Sequence, residues 1–190
     1  MPIKKVTEIP TIDVVMVTVK ATSGADTNEY IIMTSNKIAV EPLIEVTEGT
    51  KLIIKNRLIA QKPEKSTLIG HNITLTDNVF SPELVKLLQG GTIKFDEVET
   101  TKVIGYTPPV TGDITTLEPL ELCAYSAQYN AAGQITRYEK ITYPNCAGAP
   151  VAFGSEDGVF RAPEYKITST PDTGVAPYDM DYVDTLPVAV

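Results

Sequence analysis

The sequence has no tryptophan, one histidine and two cysteines among its 190 residues. The lone histidine, His71, has no second histidine and no neighbouring cysteine with which to hold a transition metal. Set beside Gly70 and Asn72 in a strand pattern, it reads as a structural or surface residue. No glycine loop is spaced to cradle phosphates. Gly154-Ser155-Glu156-Asp157-Gly158 has the wrong spacing for a nucleophile elbow and reads as a turn. Asp179, Asp181 and Asp184 lack the glycine and distal glutamate of a calcium loop. The residues therefore point to no catalytic site, no cofactor and no metal. No run approaches the roughly 18 apolar residues of a membrane helix. The lysines and apolar run of the N-terminus lack a small-residue cleavage site, so a soluble protein made in a cytoplasm is expected. Asn72-Ile73-Thr74 fits a glycosylation sequon, but without a secretory signal it carries no weight.

Basic charge is also short. The formal net charge is −8 and the pI about 4.7, which argues against a protein that grips phosphate backbones. Cys123 and Cys146 are not cross-strand partners in the register expected around Asn130–Gly133. That register places Cys123 near Lys140, so both thiols are expected to stay reduced.

What is present is strand. Ile12–Lys20 is apolar on both faces at its centre, as in a strand covered on both sides. Tyr30–Met33 and Lys37–Val40 are short strand signals. Ile44–Glu48, Gly49-Thr50 and Lys51–Leu58 read as a hairpin, with Leu52, Ile54 and Leu58 on one face and Lys51, Lys55 and Arg57 on the other. Ile69–Thr76, Thr92–Glu97, Lys102–Tyr106, Leu117–Tyr129, Ile135–Tyr143 and Val159–Thr168 complete about ten strands. The expected fold is mainly β, an antiparallel sandwich or barrel over residues 1–168. Residues 169–190 contain three prolines and, beyond Lys166, no basic residue. They form an acidic arm that packs on something or stays mobile.

One short helix interrupts the pattern at about 82–89. Ser81 is the N-cap, Pro82 the first helical residue, and Glu83 suits the helix dipole. Gly90-Gly91 supply the stop. Leu84, Leu87 and Leu88 form one apolar face. Two turns are unstable alone in water, so these leucines should pack on the sheet. Any assembly role should then fall to the polar side, at Glu83 or Lys86.

Two segments taken together carry a resemblance. Ile73–Gly91 (ITLTDNVFSPELVKLLQGG) and Asn145–Asp179 (NCAGAPVAFGSEDGVFRAPEYKITSTPDTGVAPYD) are similar to tail tube (major tail) proteins of phages and phage-like particles from Gram-positive bacteria. The order of the pieces, across roughly residues 30–185, carries it. The resemblance implies a β-sandwich or barrel with a helix packed beside it, assembling as stacked hexameric rings around a lumen that conducts DNA or is driven through an envelope. It implies a virion tail or particle made in a bacterial host cytoplasm. The implied partners are further copies of the chain, with sheath, tape-measure and tail-terminator proteins and no specific nucleic-acid binding. Like charge in a lumen would keep DNA sliding.

Charge adds an expectation of its own. Lys51, Lys55, Arg57, Lys62 and Lys65 stand against Glu64, a net of +4 over residues 51–65. Asp172, Asp179, Asp181 and Asp184 give the C-terminal arm −4. Either the two patches meet across subunits in a head-to-tail contact, or both stay solvated. The hairpins 117–143 and 37–58 are the candidate lumen elements, because an exposed strand edge invites a neighbour. The competing reading is a β-sandwich binding module for carbohydrate or a surface partner. The absent tryptophan and scattered tyrosines weigh against it.

Overall fold

The computed structural model describes residues 9–23, 28–112, 116–152 and 154–188. The N-terminal residues 1–8, Asp113 of the turn-rich loop and the last two residues of the C-terminal arm lie outside that range. In chain order the first elements are β1 (Thr11–Ala21), β2 (Glu29–Ile32), β3 (Ser35–Thr47), β4 (Thr50–Ile54), β5 (Arg57–Lys62) and β6 (Lys65–Asp77). The helix α1 (Pro82–Gln89) follows. Then come β7 (Thr92–Phe95), β8 (Val103–Thr107), β9 (Leu120–Tyr129), β10 (Ile135–Gly148), β11 (Glu164–Ser169) and β12 (Asp179–Val183).

The fold is mainly β, antiparallel, with one short packed helix, as the strand patterning requires. One eight-stranded sheet has the order β2-β1-β9-β10-β11-β6-β3, with β12 beside β10. β4–β5 and β7–β8 are separate two-stranded sheets. The large sheet is an open path and does not close into a barrel. It folds over so that Val17, Val19, Leu122, Tyr143 and Cys146 from one half share a core with Ile73, Leu75, Tyr165 and Ile167 from the other. β10 belongs to both halves. Its register against β9 slips between Tyr143 and Cys146, and Asn145 there has φ 48. A bulge of this kind bends a strand and adds twist, so β10 turns the corner without leaving the sheet.

Period-2 burial is clean in β11, where Tyr165, Ile167 and Ser169 point in while Glu164 and Lys166 point out. β1 is buried at Met16, Val17, Thr18 and Val19 alike. Its second face meets a small cluster of Met16, Cys123 and Tyr125, with Ile31, Val183 and Leu186 packed on it. The two-sided apolar run read in the sequence is thus covered on both sides.

The helix closes the core. Ser81 Oγ accepts the Leu84 amide at 3.3 Å, and the Gly90 amide donates to the Lys86 carbonyl at 2.8 Å. Leu84, Val85 and Leu88 are its buried residues, and Leu87 is only half-buried. The buried face is therefore turned toward Val85, which the i, i+3, i+4 reading left out. Helix and β10 approach backbone to backbone at Gly148, where a Cβ would lie 2.5 Å from the Leu88 Cα.

Several expectations change. The sequence places a turn at Gly49-Thr50. The structure instead pairs Ile44–Thr47 with β6 and turns at Lys55-Asn56, whose φ values are 46 and 62. These are the left-handed central residues of a tight two-residue hairpin. Residues 159–163, expected as strand, are not in β11. Leu117–Pro119 likewise precede β9. Part of the segment read as an arm, Asp179–Val183, is a strand of the main sheet. Cys123 faces Thr142 and not Lys140, because Tyr129 pairs with Ile135 rather than Gln134 and a bulge between Ile135 and Arg137 adds one more residue. Both cysteines are free and buried. They lie in different clusters on opposite faces of the sheet.

Candidate assembly surface

The distal halves of β3 and β6 leave the core. β3 and β6 pair from Ser35↔Asp77 to Thr47↔Lys65, while β11 accompanies β6 only from Thr76 to His71. Gly70 stands at the departure point, with no room for a Cβ against the Ser169 carbonyl. Beyond it the register slips between Leu43 and Ile44. Every residue of β4 and β5 is exposed. The result is an arm built of β3, β6 and, at its end, the β4–β5 hairpin.

The hairpin at the end of the arm is apolar on both faces. Leu52 lies opposite Ala60 and Ile54 opposite Arg57 on one face, and Ile53 opposite Leu58 on the other, with Ile59 in a bulge. Leu52, Ile53, Ile54, Leu58 and Ile59 are 50–59% exposed. A strand pair with aliphatics on both faces has the composition of one covered on both faces. An exposed apolar patch of this kind marks an interaction site. Lys51, Lys55, Arg57, Lys62 and Lys65 are all exposed along it. The tight turn at Lys55-Asn56 puts Lys51 and Arg57 on opposite faces, whereas the sequence pattern put them on one.

The acidic residues gather elsewhere. Asp179 and Asp181 are on β12, Asp184 follows it, and Asp172 lies in the loop before it. All four are exposed. β12 is anchored at both ends. Val183 packs toward Met16, Cys123 and Tyr125. The Tyr178 ring sits 5.5 Å from His71, whose other edge contact is Tyr143, also at 5.5 Å. His71 is buried, and its Nδ1 has no hydrogen-bond partner among the described residues. Arg137 lies 4.2 Å over the Tyr182 ring and donates to Gln128 Oε1 at 2.7 Å. No hydrogen bond or ion pair joins the basic hairpin to β12 among the described residues. Lys20 of β1 and Glu121 of β9 form an ion pair at 2.9 Å, away from both groups.

The hairpin expected to offer edges, 117–143, is paired on both sides from Leu120 to Gln128 and from Tyr138 to Thr142. β9 is flanked by β1 and β10, and β10 by β9 on one side and by β11 and β12 on the other. The open edges belong to β2, β3 and β12 and to the two small hairpins. Of the polar helix residues, Glu83 accepts the Ser81 hydroxyl at 3.1 Å, which ties it to the cap, and Lys86 is exposed. Among the described residues no group of three or more histidine, cysteine or acidic side chains could hold a metal ion. No described helix is long and apolar enough to cross a membrane.

No family model matches the chain, and no curated protein matches it. Among solved structures it is similar to a chain in the cryo-EM structure of the anti-feeding prophage (AFP) baseplate, 6-fold symmetrised. The identity is 8%, the match covers 96% of this chain and 97% of that one, and the TM-score is 0.36. A TM-score of that size does not establish a common fold.

Proposed function

We propose that this protein is a structural subunit of the tail tube of a phage or phage-like particle, assembling as stacked hexameric rings around a lumen. The observation that carries the reading is the β3–β6 arm with its β4–β5 hairpin. The hairpin is apolar and exposed on both faces, a surface that a protein working alone has every reason to avoid. The open edges of β2, β3 and β12 agree with it, since ring closure pairs such edges. The net charge of −8 suits a conduit that must not hold nucleic acid. On this reading the chain needs no cofactor and performs no catalysis. It is made in a bacterial host cytoplasm and works in the particle, beside sheath, tape-measure and tail-terminator proteins.

Electron microscopy of the purified protein, with light scattering over a range of concentration and salt, tests this. Stacked rings or tubes are expected. A monodisperse monomer under every condition would refute the proposal.

A further inference from the structure

The register of the main sheet contains a fork. β9 occupies one edge of β10 from Ile135 to Cys146, so β11 (at Cys146–Gly148) and β12 (at Tyr138–Thr142) share the other edge, end to end. β6 pairs with β11 as far as Ser169↔His71 and then runs on through residues 65–70, past the end of β11. In a continuous sheet those residues would pair with β12. They pair only with β3, and β12 pairs only with β10. The sheet splits at Gly70 and Tyr178, and β12 is left with an edge of unpaired backbone groups.

That edge matches the arm in three independent ways. Its charge is opposite. Asp172, Asp179, Asp181 and Asp184 have no basic residue beside them in 167–190; across the strand Lys140 stands opposite Asp181, and Arg137 lies over the Tyr182 ring. The hairpin carries Lys51, Lys55, Arg57 and Lys62. Its side chains are apolar between the acids, with Met180 and Tyr182 about two-fifths exposed at 43% and 40%. Its backbone is that of a strand in need of a neighbour, and β4–β5 is a free two-stranded ribbon. Strand addition of this kind draws affinity from main-chain hydrogen bonds and specificity from alternate side chains. Opposite charge sets register and encounter rate.

Resting on the tail-tube reading, we infer that the open edge of β12 is the receptor for the β4–β5 hairpin of a second copy of the chain. Arg57 and Lys62, on one face of β5, meet Asp179 and Asp181, on one face of β12 in the next copy, and Lys51 and Asp184 add opposite charge beside them. The contact is head to tail, because donor and receptor are different surfaces, and so it propagates from copy to copy.

A charge exchange tests it. One variant carries Lys51→Glu, Arg57→Glu and Lys62→Glu. The other carries Asp179→Lys, Asp181→Lys and Asp184→Lys. All six positions are exposed, and thermal melts of each variant check that it folds. Each alone should lose assembly yield by about tenfold or more at low salt. Mixed in equal amounts they should assemble again, because each hairpin then finds an opposite edge on the other variant. Single variants that assemble like the wild type overturn the inference, as does a mixture that fails as its components do. As a second measurement, chains with Arg57→Cys mixed with chains with Asp181→Cys should give a disulfide-linked pair under mild oxidation. Its absence in assembled material also overturns the inference. A wild-type chain that never assembles refutes the tail-tube reading itself, which separates the two failures.

Discussion

Replacing Gly148 with alanine should destabilise the protein, against the usual sign for such a change. A glycine-to-alanine substitution where the backbone accepts it stabilises by roughly 0.4–1 kcal/mol, because the unfolded chain loses freedom. Gly148 has no positive φ to forbid alanine. Its obstacle is the helix. The added Cβ would lie 2.4 Å from the Leu88 carbonyl oxygen and 2.5 Å from both its Cα and its Cβ. Carbon atoms pack at about 3.5–4.0 Å, so α1 must retreat by about 1 Å. Two of the three atoms in the way are backbone, which cannot swing aside. Leu84, Val85 and Leu88, at most 1% exposed, would lose contact with β10 and the core. Overpacking of this sort costs about 1–3 kcal/mol. For a chain of this length, that is a melting temperature lower by roughly 3–10 °C. Thermal melts at fixed protein concentration measure it. Gly154→Ala is the control, since nothing lies within 4 Å of its Cβ position and no positive φ constrains it. That variant should melt at or slightly above the wild-type temperature. If Gly148→Ala does the same, the helix does not sit on β10 as described.

Ser81→Ala removes the oxygen that receives the Leu84 amide and should cost about 1 kcal/mol in urea unfolding; no measurable loss would mean that the cap is not made. The Cys146 thiol is pushed up from 9.0 to about 11, chiefly by burial, against smaller lowering by hydrogen bonds from Ser169 and Leu122. At pH 8 a thiol reagent should therefore leave the folded protein unlabelled and label both cysteines after denaturation; rapid labelling of Cys146 in the native state would contradict its burial. The sign of the linked pH effect is fixed. The folded chain keeps this proton longer than the unfolded chain, so the contribution is whole below pH 9 and is lost as pH rises through about 11. Tyr143 and Tyr165, also raised by burial, add to it in the same direction, and stability that held level across that window would count against all three.

The sequence told most about the body. Runs of β-branched and apolar residues announced β1, β6, β9, β10 and part of β11, and the cap signals bounded the helix, because these features are local and strong. It told least where the answer was a pairing. Ile44–Thr47 is as good a strand against β6 as against the next segment, and propensity does not choose between them. The symmetry of TKLIIKNRLIAQK about Lys55-Asn56, with asparagine suited to a left-handed turn, was the available signal for the hairpin. Gly49 drew the turn instead, although its actual constraint is close contact with Lys62 and Glu64. The basic and acidic residues were legible as two groups. Their division between a projecting ribbon and one strand edge was not, since β12 finds its place through long-range contacts: its ladder with β10, Val183, Leu186 and the rings of Tyr178 and His71. Val85 joins Leu84 and Leu88 on the buried face, a position that a leucine pattern at i, i+3 and i+4 does not mark.

The order in which this topology can form has a consequence for the living cell. β1 can pair early with β2, Val17 opposite Ile32, but its longer ladder waits for β9, with Ala21 opposite Leu120 and Thr11 opposite Gln128, whereas the hairpin closes between neighbours, with Ile54 opposite Arg57. Contacts so distant in sequence form slowly, and a hairpin forms in about 1–10 μs. A growing chain thus displays its most apolar ribbon well before it has a body, among sister chains displaying the same one. The lysines and arginine along that ribbon then act as gatekeepers. Identical hairpins repel one another, so the ribbon waits, unaggregated, for a finished molecule.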